Sequence, residues 1–270
     1  MGGAETPPSC WRTAPFKCCP RRRRGVGRFA RGSTPWLAMP LLAAGVAAFC
    51  WANFGGLWLL ALAVLALLVE LFFLVFFRDP ERAAAPGVAS PADGRVVRLD
   101  QVDDADLGRC DRLSIFMSPK DVHVNRFPLD GKVVAVTHIA GGHIPAFDKD
   151  SDRNERVVTV LDTALGRVKV IQIAGTVARR IVPYISGGEP AIKGVRMGLI
   201  RLGSRCDLLV PPGSVRWTVA LKQQVHAGST QVGEPTATPA KPRMAQMPQD
   251  AAKKSPEASA KPATRKGART

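Results

Sequence analysis

Between Trp36 and Phe77 the chain carries a single charged residue, Glu70. So long an apolar run needs either a very large core or a bilayer around it. It is broken once, at Asn53-Phe54-Gly55-Gly56, a cluster of turn-forming residues. The run therefore reads as two helices, about Trp36–Ala52 and Leu57–Phe77, each close to the roughly 17–25 residues that cross the hydrocarbon layer. Arg21–Arg24 lie before the first helix, and Arg78 and Arg82 follow the second. The excess of positive charge on both flanks places both on the cytoplasmic side of a bacterial inner or plasma membrane. A cleaved signal peptide would be shorter and undoubled, while Arg21–Arg24 also has the form of a twin-arginine signal. Glu70 is expected to face the partner helix or reach for the headgroups, with no chemical role.

Charge is concentrated at the two ends. The formal net charge of the 270 residues is +16. Residues 1–35 hold eight Lys/Arg against Glu5, and residues 231–270 hold eight against Glu234, Asp250 and Glu257. Neither end shows an apolar period, so both are expected to be disordered. A nucleic-acid partner is not expected: the chain has one Tyr, no zinc-finger spacing and, in its central region, no aromatic residues interleaved with basic ones. An anionic membrane surface fits better. Cys10, Cys18, Cys19, Cys50, Cys110 and Cys206 form no C-x-x-C pair, which suggests reduced thiols, a cytoplasmic domain and no metal site.

From about Ser90 to Leu221 the apolar runs become short, β-branched and punctuated by Gly, Asp and Pro. Strands are predicted at Arg95–Leu99, Arg112–Met117, Lys132–His138, Arg156–Leu161, Val168–Ile173, Cys206–Val210 and Val215–Ala220, with one helix at Thr176–Val182 ahead of Pro183. The expected fold is a mainly β (α+β) cytoplasmic domain of short strands with one or two helices, behind a transmembrane hairpin. The expected boundaries are 1–35, 36–77, 78–230 and 231–270.

Four stretches carry a resemblance. They are Phe77-Arg78-Asp79-Pro80, Ser90-Pro91-Ala92-Asp93-Gly94, Ser118-Pro119-Lys120-Asp121-Val122-His123-Val124-Asn125-Arg126, and Gly198 to Asp207 around Gly203-Ser204. Asn154-Glu155-Arg156 and Ala174 to Arg180 support them. A lone Gly-Ser carries no information, since Gly32-Ser33, Gly213-Ser214 and Gly228-Ser229 repeat it. As an ordered set, however, these segments resemble the phosphatidylserine decarboxylase family, in particular its shorter branch, over roughly Phe77 to Gly228.

The resemblance implies self-cleavage between Gly203 and Ser204. Ser204 would attack the Gly203 carbonyl, and elimination and hydrolysis would leave a covalent pyruvoyl group at position 204 as the only cofactor, with no metal and no pyridoxal phosphate. That carbonyl would condense with the amino group of phosphatidylserine and take up the electrons released with carbon dioxide. The two cleaved chains would stay associated, and homo-oligomers are possible in the family. His123 matches the family's histidine after Ser-Pro-x-Asp and is the candidate general acid. Asp93 matches a carboxylate implicated in self-cleavage; the ordinary alternative is an Asp-Gly turn. Longer relatives carry a second histidine three residues after the first, where this chain has Arg126, so the base for cleavage is open between Asp93 and a doubly employed His123. Arg126, Arg201 and Arg205 are substrate-binding candidates by position, because a guanidinium suits phosphate and carboxylate alike.

Two other readings compete. One is a membrane-bound hydrolase using Ser204 or Ser118 with Lys120 or a histidine, although no G-x-S-x-G elbow is present. The other is a non-enzymatic β-rich module tethered to the membrane. Both predict one intact chain with a free serine at position 204.

Overall fold

The apolar run folds into α1 (Thr34–Phe54) and α2 (Leu57–Phe76). The computed structural model describes residues 28–142, 153–175, 180–201 and 203–236. Both helices are long and apolar enough to cross a membrane. Their outer faces leave Leu41, Leu42, Phe49, Leu65, Leu68 and Leu71 exposed, whereas Pro40, Ala44, Ala63 and Glu70 are buried. Glu70 thus turns away from the apolar exterior.

At the root of the hairpin the entering and leaving strands of chain are tied together. Phe29 bridges Arg78, the Ala30 amide donates to the Phe77 carbonyl at 2.8 Å, and the Asp79 amide donates to that of Arg28 at 2.7 Å. Phe76, Phe77 and Ala30 then pack with Val122, Val124 and Leu199 of the β domain in a small apolar cluster. Phe77-Arg78-Asp79-Pro80 is thus the joint between hairpin and domain.

The domain is antiparallel and built on an eight-stranded sheet. In order across the sheet these are β13 (Gln224–Val225), β2 (Gly94–Asp104), β3 (Gly108–Met117), β11 (Ser204–Val210), β7 (Gly166–Ile173), β6 (Arg156–Thr163), β5 (Gly131–Ile139) and β9 (Pro190–Ala191). A three-stranded sheet orders β4 (Val124–Arg126), β10 (Arg196–Ile200) and β8 (Ile181–Pro183). Another orders β1 (Val88–Ala89), β14 (Gln231–Pro235) and β12 (Val215–Trp217). Alternation fixes which face is buried. Leu113, Ile115 and Met117 of β3 stand opposite Leu208, Cys206 and Ser204 of β11, and these residues are wholly buried. β11 is buried along its whole length, as a central strand covered on both faces should be.

The expected mainly β architecture behind two apolar helices is present. Three details differ. Ile181 and Val182, read as the end of a helix, belong to β8 and pair with Leu199 and Ile200; β-branched residues beside a partner strand follow the sheet. Thr176–Arg179, within that predicted helix, lie outside the described residues, and among those described no α-helix forms in the domain. The predicted strand Val215–Ala220 ends at Trp217. Residues 231–235, assigned to a disordered tail, form β14 between β1 and β12, with Val232 fully buried. One apolar residue in a short polar segment gives too weak a signal for a strand. Arg28, Phe29 and Ala30, assigned to the disordered N-terminus, likewise pair with the chain at Phe77–Asp79.

Candidate active site

Strand direction gathers the motifs at one end of the large sheet. Arg95 at the start of β2 pairs with Phe116 near the end of β3, and Ser204 at the start of β11 pairs with Met117. On the other side of β11, Arg205 pairs with Ile173 at the end of β7, and Ile173 pairs with Arg156 at the start of β6. Asp93, Ser118, Ser204, Ala174 and Asn154 therefore cap adjacent strands, although up to about a hundred residues separate them in sequence.

Ser204 is fully buried and its Oγ has no hydrogen-bond partner. Gly203, just before it, takes φ +63°, a left-handed conformation that glycine adopts without steric cost. His123 lies on the segment that leaves β3 and is itself fully buried. Its Nδ1 is 2.8 Å from the Asp121 carbonyl oxygen. A carbonyl only accepts, so Nδ1 carries the proton and donates. Burial drives the His123 pKa down to about 4, against the upward pull of the Asp121 carbonyl and of the Asp121 and Asp93 charges. The ring is thus neutral at pH 7, with a lone pair on Nε2. That Nε2 is buried and has no partner. The Ile200 amide donates to the His123 carbonyl at 3.2 Å, linking His123 to the strand that leads into Gly203-Ser204. Phe76 of α2 covers the imidazole, with ring centroids 4.3 Å apart.

The loop before His123 is held firmly. Asp121 accepts from the Ser118 amide and hydroxyl at 2.8 and 2.6 Å and from Gln224 Nε2 at 3.0 Å. Ser118 is thereby committed to Asp121. Asn125 and Gln172 sit nearby, both fully buried; Gln172 Nε2 donates to Asn125 Oδ1 at 2.8 Å, and Asn125 Nδ2 lies 3.6 Å from Met117 Sδ.

Asp93 is buried and doubly bound by Arg82, with Nη2 to Oδ2 at 2.8 Å and a second contact from Nη1 to Oδ1. The Ala227 amide donates to Oδ1 at 2.7 Å, and His226 Nδ1 lies 3.5 Å from Oδ2. Burial would raise the Asp93 pKa, but Arg82, the Ala227 amide and His226 together hold it below the ordinary carboxylate value. Gly94 follows with φ +139°, and a Cβ there would come within 2.1 Å of the Phe116 carbonyl oxygen. Only glycine allows the backbone to pass so close.

The three arginine candidates separate. Arg126 is buried and donates to Asp79 at 2.9 Å, to the Pro80 carbonyl at 2.8 Å and to the Gly194 carbonyl at 3.0 Å. Arg196 also contacts Asp79. Arg205 is fully buried in a two-pronged contact with Asp207, each bond 2.9 Å. Arg201 instead lies over the Trp36 ring at 5.1 Å, and its Nε is buried without a partner. The contacts of Arg82, Phe76, Gln172 and His226 were not readable from sequence, because each depends on long-range pairing. Among the described residues no three His, Cys, Asp or Glu side chains converge as a metal site.

Comparison with known proteins agrees with this arrangement. The sequence profile described as phosphatidylserine decarboxylase matches residues 69–233. The phosphatidylserine decarboxylase proenzyme of Thermobifida fusca is 48% identical over 211 residues, covering 78% of this chain and 94% of that protein. That of Streptomyces avermitilis is 49% identical over 210 residues, covering 77% and 94%. A relative from Methanosarcina acetivorans, whose name proposes an archaetidylserine decarboxylase proenzyme, is 40% identical over 205 residues, covering 74% and 94%. With its motifs assembled at one sheet end and its relatives matched over nearly their full length, this chain belongs to the phosphatidylserine decarboxylase family.

Proposed function

We propose that the chain cuts itself between Gly203 and Ser204 and then decarboxylates phosphatidylserine to phosphatidylethanolamine. The observation that carries the proposal is the pair of unpartnered atoms, Ser204 Oγ and His123 Nε2. Buried polar atoms are nearly always hydrogen-bonded, so two orphans on linked segments mark a place prepared for chemistry.

His123 is the base for cleavage in this reading. Its Nε2 takes the Ser204 hydroxyl proton as Oγ attacks the Gly203 carbonyl carbon. The C–N bond breaks, a C–O ester bond forms, and the proton passes to the freed Ser204 nitrogen. Removal of the Ser204 α-proton then expels the Gly203 carboxylate and leaves dehydroalanine, which water converts to a pyruvoyl group with loss of ammonia. Asp93 is too firmly held by Arg82 to be the proton acceptor. It fixes the loop around Gly94 and supplies negative charge that favours protonated His123.

Ser204 fits the group it would become: it sits buried at the head of β11, and the Ile200–His123 hydrogen bond ties the segment before it to a neutral histidine. The pyruvoyl carbonyl supplies an electron sink for the substrate's amino-acid carbon. The chain's own contribution is to exclude water, through Phe76, and to deliver a proton to that carbon from His123. The hairpin crosses the membrane with both flanks cytoplasmic, which holds the site at the headgroup layer where the substrate stays concentrated.

Intact-mass analysis under denaturing conditions tests this directly. Two chains are expected, one ending at Gly203 and one beginning with an amine-free pyruvoyl, and Ser204→Ala should give only the full-length mass. A single intact chain from folded wild-type protein would overturn the proposal and favour a hydrolase or a tethered module.

A further inference from the structure

Arg201 and Arg180 lie where two strands run out together. Ile200 of β10 pairs with Ile181 of β8, so the next residues along the antiparallel ladder are Arg201 and Arg180. Two guanidinium groups placed in register repel unless an anion lies between them. Here burial and the like charge of Arg180 both disfavour the charged form of Arg201. No carboxylate contacts either side chain among the described residues, whereas Arg82, Arg126, Arg196 and Arg205 all have one.

Their surroundings belong to a membrane interface. Trp36 lies in the first turn of α1, stacks edge-on with Phe73 of α2 at 6.0 Å, and carries Arg201 on its face. Tyr184 donates to the Arg31 carbonyl at 3.1 Å, and the Arg31 guanidinium lies 5.4 Å above the Tyr184 ring. Trp and Tyr settle at headgroup depth. The cluster is also close to the reacting residue, since Arg201 is three residues from Ser204, at most about 11 Å along the backbone. In phosphatidylserine the phosphate is only a few bonds from the carbon that reacts.

We infer that Arg201 and Arg180, backed by Trp36, bind the phosphodiester of the lipid substrate and so set its serine headgroup over position 204. The inference rests on the decarboxylase reading and gives one arginine pair a specific ligand. Arg201 binds the phosphate as a forked donor, and Trp36 keeps the fork from folding back into solvent. The carboxylate that must leave is not the group held, so ground-state binding does not slow its loss.

The test uses the full chain in dodecyl maltoside micelles, with intact mass confirming whether cleavage has occurred. Binding of monomeric dihexanoylphosphatidylglycerol is measured by calorimetry, because that phosphodiester lacks the amine needed to react. Arg201→Gln should weaken it roughly tenfold to a hundredfold, Arg180→Gln by less, and the exposed Arg216→Gln not at all. Dihexanoylglycerol, which lacks phosphate, should bind wild type and Arg201→Gln equally. In processed protein, the KM for dihexanoylphosphatidylserine should rise at least tenfold in Arg201→Gln with kcat within about twofold. Unchanged diester affinity in Arg201→Gln would overturn the inference. So would inorganic phosphate binding as tightly as the diester, which would mark a free-phosphate site. A chain that is uncut but still loses diester binding would sink the cleavage reading and leave the phosphate site standing.

Discussion

The two ends of the eight-stranded sheet handle buried polarity in opposite ways. At the far end, β2 turns into β3 and β7 begins. There Lys169 reaches Asp104 and Asp106 at 2.5 and 2.6 Å, and Asp104 also accepts from the Leu107 and Asp106 amides. Thr163 donates to the Gly166 carbonyl, and Asp111 accepts from the Gly213 amide. Each of these groups is satisfied by a neighbour. At the near end Ser204 Oγ, His123 Nε2 and Gln172 Oε1 are buried and have none. The same sheet and the same antiparallel register produce both ends, so the sheet is not the cause. Ser114 Oγ and Thr159 Oγ1, within β3 and β6, also lack a partner, but at the near end it is Ser204 and His123 themselves that do, with Phe76 packed over the imidazole. One end is finished by folding, and the other is left for a reaction to complete.

The largest effect that would break this contrast is expected at His123. His123→Gln keeps a polar side chain but removes the proposed base, and self-cleavage should slow by about 10²–10⁴-fold, read as the fraction of intact chain over time. Processing at the wild-type rate would remove His123 from the cleavage step. The same residue predicts an acid weakness. A histidine held at about 4 in the folded state and near 6.5 when unfolded takes up a proton on unfolding anywhere between those values. Stability should therefore be full above pH 6.5 and fall as pH drops towards 4, by on the order of 3 kcal/mol. His123→Gln should flatten the curve in that window; an unchanged slope would mean that other groups set it.

Next in size is the joint at Asp79, which lies near the reactive end yet is fully paired. Asp79 holds Arg126 and Arg196, and both Asp79 and Arg126 are buried. Asp79→Asn strands Arg126 without its countercharge and should lower unfolding stability by about 3–5 kcal/mol in micelles. Pairing it with Arg126→Gln should restore part of that loss, because the stranded charge is then gone. Strict additivity of the two changes would show that the pair is not a unit. Smaller again is Gly203→Ala. A Cβ there meets nothing within 4 Å, so the change acts on the backbone alone. At φ +63° it should cost about 1–2 kcal/mol and slow cleavage by roughly tenfold, without altering the sheet.

What the sequence revealed follows from the range of the forces involved. The hairpin was legible because a bilayer needs only length and apolarity, both local properties. Six of the seven predicted strands lie within observed ones for a similar reason: alternation and turn residues are short-range signals. Position 126 shows the limit. The resemblance leads one to expect a histidine there in longer relatives, and only the fold shows this chain's guanidinium spent on Asp79, forty-seven residues earlier. Arg82 holding Asp93 and Phe76 covering His123 are hidden in the same way, since each contact exists only after separate segments dock. Composition masked β14 as tail, and Ile181 and Val182, read as the end of a helix, join a sheet.

The mildest test falls at the finished end. Lys169 is nearly fully buried, and burial alone would lower its pKa, but Asp104 and Asp106 outweigh that and raise it. Lys169→Met keeps the side-chain length and removes the charge. The two carboxylates are not stranded by this, because Asp106 is 77% exposed and Asp104 keeps two backbone donors. The loss should be about 1 kcal/mol or less, as for solvent-screened pairs, or a few degrees in melting temperature. It should shrink further in high salt. Cleavage rate and KM should be unchanged, because no group at that end reaches Ser204. If Lys169→Met slowed self-cleavage as much as Gly203→Ala, strain would be passing along β7 and β11 between the ends. The orphaned atoms would then depend on the whole sheet, not on the hairpin root alone.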